Sequence, residues 1–119
     1  MSDKATDFTM AQDNEVEVKN SSPTAPLFDG LCKALLQLNN EEEVQRFLRD
    51  LCTPSEIRAL SERWHVAQLL VAGEKSYRDI NDLTGVSTTT IGRVARFLEH
   101  EPHQGYRLVM DRLKETPNT

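Results

Sequence analysis

Apolar residues recur every three or four positions from Leu27 onward, and this period predicts a series of amphipathic helices. The first apolar stripe contains Leu27, Phe28, Leu31, Cys32, Leu35, Leu36 and Leu38. Asn39 and Asn40 interrupt the stripe, and Asn40 with Glu43 gives the start signal of a second helix. The second stripe contains Val44, Phe47, Leu48 and Leu51. Two helices joined by a short polar turn are therefore predicted over residues 27–51.

The clearest helix start in the chain consists of Thr53, Pro54 and Glu56. Thr53 is the predicted N-cap, Pro54 the first helical residue and Glu56 the reciprocal capping partner. This third helix is predicted to run to about Ala72 and to end at Gly73, because glycine readily takes the left-handed conformation that closes a helix.

A short fourth helix is predicted from about Tyr77 to Leu83. Ser76 and Asp79 have the spacing of a capping box at its start. Gly85 follows where a tight turn needs a residue that can adopt positive φ. The chain therefore turns sharply at this point before it continues.

A fifth helix follows the turn, with Ser87 as its N-cap and Ile91, Val94 and Leu98 on one face. The predicted core between the two helices consists of Ile80, Leu83, Val86, Ile91 and Val94. Asn81 departs from the pattern, since such motifs usually carry a small apolar residue at that buried position. The arrangement is that of a helix-turn-helix whose second helix enters the major groove. Other helical hairpins also contain a glycine turn, so the outer face must decide between the two interpretations.

The outer face of the fifth helix carries Thr89, Gly92, Arg93 and Arg96, and no acidic residue occurs from Ser87 to Leu98. Short hydroxyls, a glycine and arginines suit close approach to phosphates and base edges. An ordinary solvated helix face usually mixes Glu with Lys. The composition of this face favours DNA binding.

After residues 100–105, a last helix presents Tyr106, Val109, Met110 and Leu113. Six helices and no convincing strand predict an all-α protein. Residues 25–116 are predicted to form one helical DNA-binding and dimerisation domain. Residues 1–24 are polar and acidic without apolar periodicity, and they are predicted to be a disordered tail.

The net charge of −5 is unevenly distributed along the chain. Residues 1–55 contain five Lys or Arg against ten Asp or Glu, whereas residues 56–113 contain eight of each. DNA binding depends on the local field, so an acidic front half does not exclude it. A neutral second half indicates few phosphate contacts per subunit, and hence binding as a dimer.

The sequence also predicts the compartment. It has no apolar run long enough to span a membrane and no signal peptide, so we expect a cytoplasmic protein. Cys32 and Cys52 fall on apolar helix positions and are expected to be reduced core residues.

The first apolar stripe is wider than a surface helix needs. Either it lies at the centre of a monomer core, or two chains share it. The size of the chain favours a shared core, and with it a homodimer.

The order of helices, with the motifs Asp50-Leu-Cys-Thr-Pro-Ser-Glu-Ile57, Gly85-Val-Ser-Thr-Thr-Thr-Ile-Gly-Arg93-Val and the late Gly105-Tyr-Arg, resembles the Trp repressor superfamily, and within it the YerC/YecD-like branch. The resemblance covers about residues 27–114. It implies an intertwined homodimer of six-helix subunits that represses transcription from a palindromic operator. Together with the outer face of the fifth helix, it predicts DNA contacts by Arg78, Thr88, Thr89, Thr90, Arg93 and Arg96.

The resemblance also bears on an effector. The Trp repressor holds tryptophan with a threonine and two arginines, and the matching residues here are Thr53, Arg63 and Arg93. Val94 and Phe97 replace a glycine and a serine that leave room for the indole, so tryptophan is not expected to fit. The two arginines leave room for a smaller carboxylate effector, or they serve only structure and phosphate contact. No other cofactor is predicted.

Other constellations carry little chemistry. His100 and His103 have a spacing that can bind metal, but Pro102 lies between them and no further ligands support a site. No nucleophile with a base and no phosphate loop is evident, so an enzyme is not expected. The alternative to a DNA-binding regulator is a helical protein-interaction module that has kept the hairpin without the DNA contacts.

Overall fold

The computed structural model describes residues 24–115, and these residues form six α-helices and no strand. The helices are α1 (Ala25–Leu35), α2 (Glu41–Leu51), α3 (Pro54–Ala72), α4 (Tyr77–Thr84), α5 (Thr88–Glu99) and α6 (Gly105–Glu115). The all-α prediction is confirmed. The predicted tail, residues 1–24, lies outside the described residues except for Thr24, which precedes α1.

The chain divides into two compact units between Phe47 and Leu48. In the first unit, α1 buries no residue, and the side chains of Leu27 and Leu36 are 74% and 80% exposed. The helix ends three residues before the apolar stripe does. The cause is a tight turn, in which Gln37 N donates to Ala34 O and Leu38 N donates to Leu35 O at 3.0 and 3.2 Å.

The start of α2 shows the predicted cap with one change. Glu43 N donates to the side-chain Oδ1 of Asn40 at 2.9 Å. The carboxylate of Glu43 accepts from Asn39 N, also at 2.9 Å, so the returning bond goes one residue further back. The first turn contains three glutamates, Glu41 to Glu43, whose negative charges interact favourably with the positive end of the helix dipole and stabilise the helix.

In the second unit, α3 begins with the predicted capping box. Glu56 N donates to Thr53 Oγ1 at 3.1 Å, and Thr53 N donates to the Glu56 carboxylate at 2.8 Å. The helix ends at Gly73, whose φ of 74° is the left-handed conformation. This long helix is the platform on which α5 and α6 pack.

The core of the second unit lies between α3, α4 and α5. Its buried apolar residues are Val66, Ala67, Ile80, Val86, Ile91, Val94 and Leu98. Tyr106 and Met110 of α6 pack against this core and are partly buried. The core therefore fixes α5 in place from its inner face, which leaves the outer face free for another task.

Two predictions about burial were wrong. Leu83 was expected in the core, but its side chain is 60% exposed. The buried side of α4 is centred on Ile80, Asn81 and Thr84, and Leu83 lies about 100° around the helix from that centre. Cys32 was expected to be buried but is exposed, because α1 buries no residue. Cys52 is half-buried, and both thiols are free.

Candidate nucleic-acid interface

The helix-turn-helix begins with a closed capping box at α4. Asp79 N donates to Ser76 Oγ at 3.0 Å, and Ser76 N donates to the Asp79 carboxylate at 3.2 Å. At the other end of α4, Gly85 has φ of 77° and its N–H donates to Asn81 O at 2.8 Å. The predicted start and turn are both confirmed, and they set the direction in which the chain enters α5.

Polar side chains hold the turn between α4 and α5. The amide Nδ2 of Asn81 donates to the carbonyl of Val86 at 2.9 Å. Thr84 Oγ1 donates to Ile80 O at 2.7 Å and accepts from Val86 N at 3.0 Å. Asn81, which departs from the usual motif pattern, thus satisfies a carbonyl that the turn would otherwise leave without a protein donor. Sequence reasoning missed this role because the bond depends on the path of the turn.

The first turn of α5 presents two exposed threonines. Ser87 caps the helix by accepting from Thr90 N at 3.1 Å, and the two hydroxyls lie 3.2 Å apart. Thr90 is half-buried, so its hydroxyl is shared with the cap. Thr88 and Thr89 are exposed. Of the three predicted threonine contacts, these two are presented to solvent and Thr90 is turned toward the cap.

The three predicted arginine contacts differ in their surroundings. Arg78 lies exposed in the first turn of α4, and within residues 24–115 no carboxylate pairs with it. Arg93 is exposed, and its guanidinium carbon lies 4.5 Å from the centroid of the Phe97 ring. Such stacking orders the guanidinium while leaving its N–H edges available.

Arg96 is paired rather than free. Its Nη2 and Nε both lie 3.1 Å from the same oxygen of Glu101, and the Arg96 side chain is 68% exposed. The face from Ser87 to Leu98 has no acid, but Glu101 reaches back to it from the loop after α5. Glu101 is therefore a neighbour of this surface that a helical-face argument could not find.

One of the three predicted effector residues lines a cavity of the structure. A cavity of about 400 Å³ is lined by Trp64, Arg93, Phe97, His103, Gln104, Gly105, Tyr106 and Val109. Arg93 lines it, whereas Thr53 and Arg63 do not. Thr53 and Arg63 are ten residues apart along the chain, which is about 15 Å of helix.

The cavity wall is aromatic. The rings of Trp64 and Tyr106 are stacked, with centroids 6.4 Å apart and planes at 22°. The sequence alone does not pair Trp64 with Tyr106, because 42 positions of chain separate them. In the described part of the chain, no group of three His, Cys, Asp or Glu side chains is placed to hold a metal ion. None of its helices is long and apolar enough to cross a membrane.

The family pattern described as "Trp repressor protein" matches residues 27–114. Over 88 residues the chain is 43% identical to YerC of Bacillus subtilis (strain 168), covering 74% of this chain and 83% of YerC. It is 36% identical over 67 residues to a Trp operon repressor homolog of Photobacterium profundum, covering 56% and 65% of the two chains. The crystal structure of a TrpR-like protein from Eubacterium eligens ATCC 27750 superposes with a TM-score of 0.69 at 37% identity, covering 79% of this chain and 95% of that one.

The family match, residues 27–114, extends over the helices that build the helix-turn-helix and its core. The family is one of regulators rather than of enzymes. By helix order, turn geometry and sequence, the chain belongs to the Trp repressor family, in the branch that contains YerC.

Proposed function

We propose that the protein is a sequence-specific DNA-binding transcriptional regulator, and that it acts as a repressor. The observation that carries the proposal is the surface of α5, where Thr88, Thr89 and Arg93 are exposed and no acid occurs on the helix before Glu99. The buried residues of the opposite face hold α5 rigidly against α3 and α4. A rigid helix with a basic, hydroxyl-rich outer face has the chemistry that reads a major groove.

The proposed DNA contacts are of two types, those at the surface of α5 that faces the groove and those to the phosphate backbone beside it. Thr88 and Thr89 are at the positive end of α5, where hydroxyls and free backbone N–H groups can meet phosphate or base edges. Arg93 stands one turn further along with its guanidinium stacked on Phe97, so little side-chain freedom is lost on binding. Arg78 and Arg96 flank this surface, and we assign them to the phosphate backbone.

The DNA is proposed to be a palindromic operator bound by a homodimer. Large apolar side chains of α1, its C-cap and α2, among them Leu27, Phe28, Leu36 and Leu51, are at least half exposed in the single chain. Exposed apolar surface of this extent is typical of a subunit interface. Two subunits would also double the few phosphate contacts that are expected of one subunit, because residues 56–113 carry no net charge.

No small molecule is needed for this binding. Phe97 stacks on Arg93 and Val94 is buried, so neither side chain leaves the room that a serine and a glycine would leave at these positions. We therefore expect constitutive binding, and we expect millimolar tryptophan to change the affinity for DNA by less than tenfold. A smaller carboxylate could reach Arg93 through the cavity, where it would compete with DNA for that side chain.

A protein-interaction module without DNA binding is the second candidate function. An interaction helix usually offers a stripe of apolar anchors at its surface. Among the outer residues of α5, the apolar Phe97 is partly buried beneath Arg93 rather than presented. The surface of α5 thus favours DNA over a protein partner.

The test is a selection of bound sequences from random duplex DNA with the full chain and no added ligand. We expect enrichment of an inverted repeat whose half-sites are about 34–36 Å apart, one turn of the double helix. A protein that is folded and dimeric yet enriches no sequence would contradict the proposal and favour the interaction module.

A further inference from the structure

Gly92 lies in the middle of α5, at the fifth of its twelve residues. Glycine inside a helix is destabilising relative to alanine, because it loses more backbone freedom on folding. We therefore expect the glycine at this position to have a structural or functional role that offsets this cost.

The fold of the chain does not require a glycine at position 92. Gly73 and Gly85 have positive φ, and Gly92 does not, so its backbone is one that any residue adopts. A Cβ placed on Gly92 would have no heavy atom of a neighbouring group within 4 Å. Neither backbone conformation nor internal packing requires a glycine here.

The position of Gly92 points outward to the surface already described. Thr89 precedes it by three residues and Arg96 follows it by four, and both spacings place side chains on the same side of a helix. The next residue is Arg93, also exposed. The helix backbone is therefore bare between side chains suited to DNA.

We propose that Gly92 is the point of closest approach between α5 and DNA, and that the missing side chain lets the helix sit deep enough for its neighbours to reach their contacts. This inference rests on the proposed function and adds a steric determinant to it. With glycine at position 92, the free protein is less stable than it would be with a larger residue there, whereas its affinity for DNA is higher. The two properties should change in opposite directions when a side chain is added.

Gly92→Ala and Gly92→Leu test the inference, because both residues are good helix formers but differ in size. Both variants should melt higher than the native chain, Gly92→Ala by about 2–8 °C. Binding to the selected duplex should weaken several-fold with alanine and more than tenfold with leucine. A rise in Tm together with a loss of affinity cannot come from a damaged fold.

Gly30→Ala is the matched control, since Gly30 is also helical and also has no neighbour within 4 Å of an added Cβ. It should raise the Tm similarly and leave the affinity for DNA within twofold. The inference is overturned if both Gly92 variants bind DNA within twofold of the native chain, or if they melt lower than it. Failure of the proposed function is distinct, because then the native chain itself would select no DNA.

Discussion

At the scale of single residues, the candidate surface depends on side chains that hold one another. Arg93 rests on Phe97, Arg96 is paired with Glu101, and Asn81 ties α4 to the start of α5. None of these three relations is visible in the helical pattern, because each depends on where a turn or loop brings two side chains. The sequence could predict which types of residue lie on the candidate surface, but it could not predict which of these side chains contact one another.

The stack of Arg93 on Phe97 should contribute to DNA affinity through Arg93. Phe97→Leu keeps an apolar side chain but removes the ring, which at an exposed site is worth about 0.5–1 kcal/mol. We expect a loss of about two- to fivefold in affinity for the selected duplex, and near-native affinity for Phe97→Tyr. A double-mutant cycle with Arg93→Ala measures the coupling. An equal loss from Phe97→Leu with and without Arg93 would show that the ring acts on helix packing instead.

At the scale of the elements, local hydrogen-bond signals were reliable guides. The caps at Thr53, Ser76 and Ser87 occur where serine or threonine precedes a helical period, and the turns at Gly73 and Gly85 have the expected positive φ. These features involve residues within four positions of each other, so sequence carries them directly. The early end of α1 and the exposure of Leu83 depend on packing, which the pattern of one helix does not specify.

The capping box of α3 should be a measurable part of the stability of the second unit. Thr53→Ala removes the side-chain acceptor of Glu56 N, which typically costs about 1 kcal/mol. We expect thermal unfolding to shift down by about 4–8 °C, and Thr53→Ser to stay close to the native chain. A neutral Thr53→Ala variant would show that Thr53 was placed for another purpose, such as an effector.

At the scale of the whole molecule, the described chain has more exposed apolar surface on α1 and α2 than a lone subunit requires. Neither helix has a fully buried residue, although α1 is rich in leucine. The apolar residues of this face are exposed in the single chain, and the partner that would cover them is a property of an assembly and stays a prediction. Dimerisation and palindromic DNA are linked, because each recognition helix reads one half-site.

Leu35→Glu tests the dimer. The substitution would bury an unpaired charge in the proposed interface, at a cost of several kcal/mol. We expect the native chain to sediment as a dimer at micromolar concentration and the variant to dissociate or unfold. Gln37→Glu adds the same charge at an exposed site close by and should leave the dimer intact. A native chain that sediments as a folded monomer would contradict the shared core.

The most direct measurement of the central claim is the affinity of the full chain for the selected duplex, compared among Arg78→Ala, Arg96→Ala and the control Arg58→Ala. Arg58 is exposed on α3, outside the helix-turn-helix. If α4 and α5 bind DNA as proposed, Arg78→Ala and Arg96→Ala weaken binding by about three- to tenfold or more and lower its salt dependence. Both variants keep a Tm near that of the native chain. The control Arg58→Ala leaves the affinity, its salt dependence and the Tm unchanged. Unchanged affinity in both Arg78→Ala and Arg96→Ala would show that the DNA is bound by another surface.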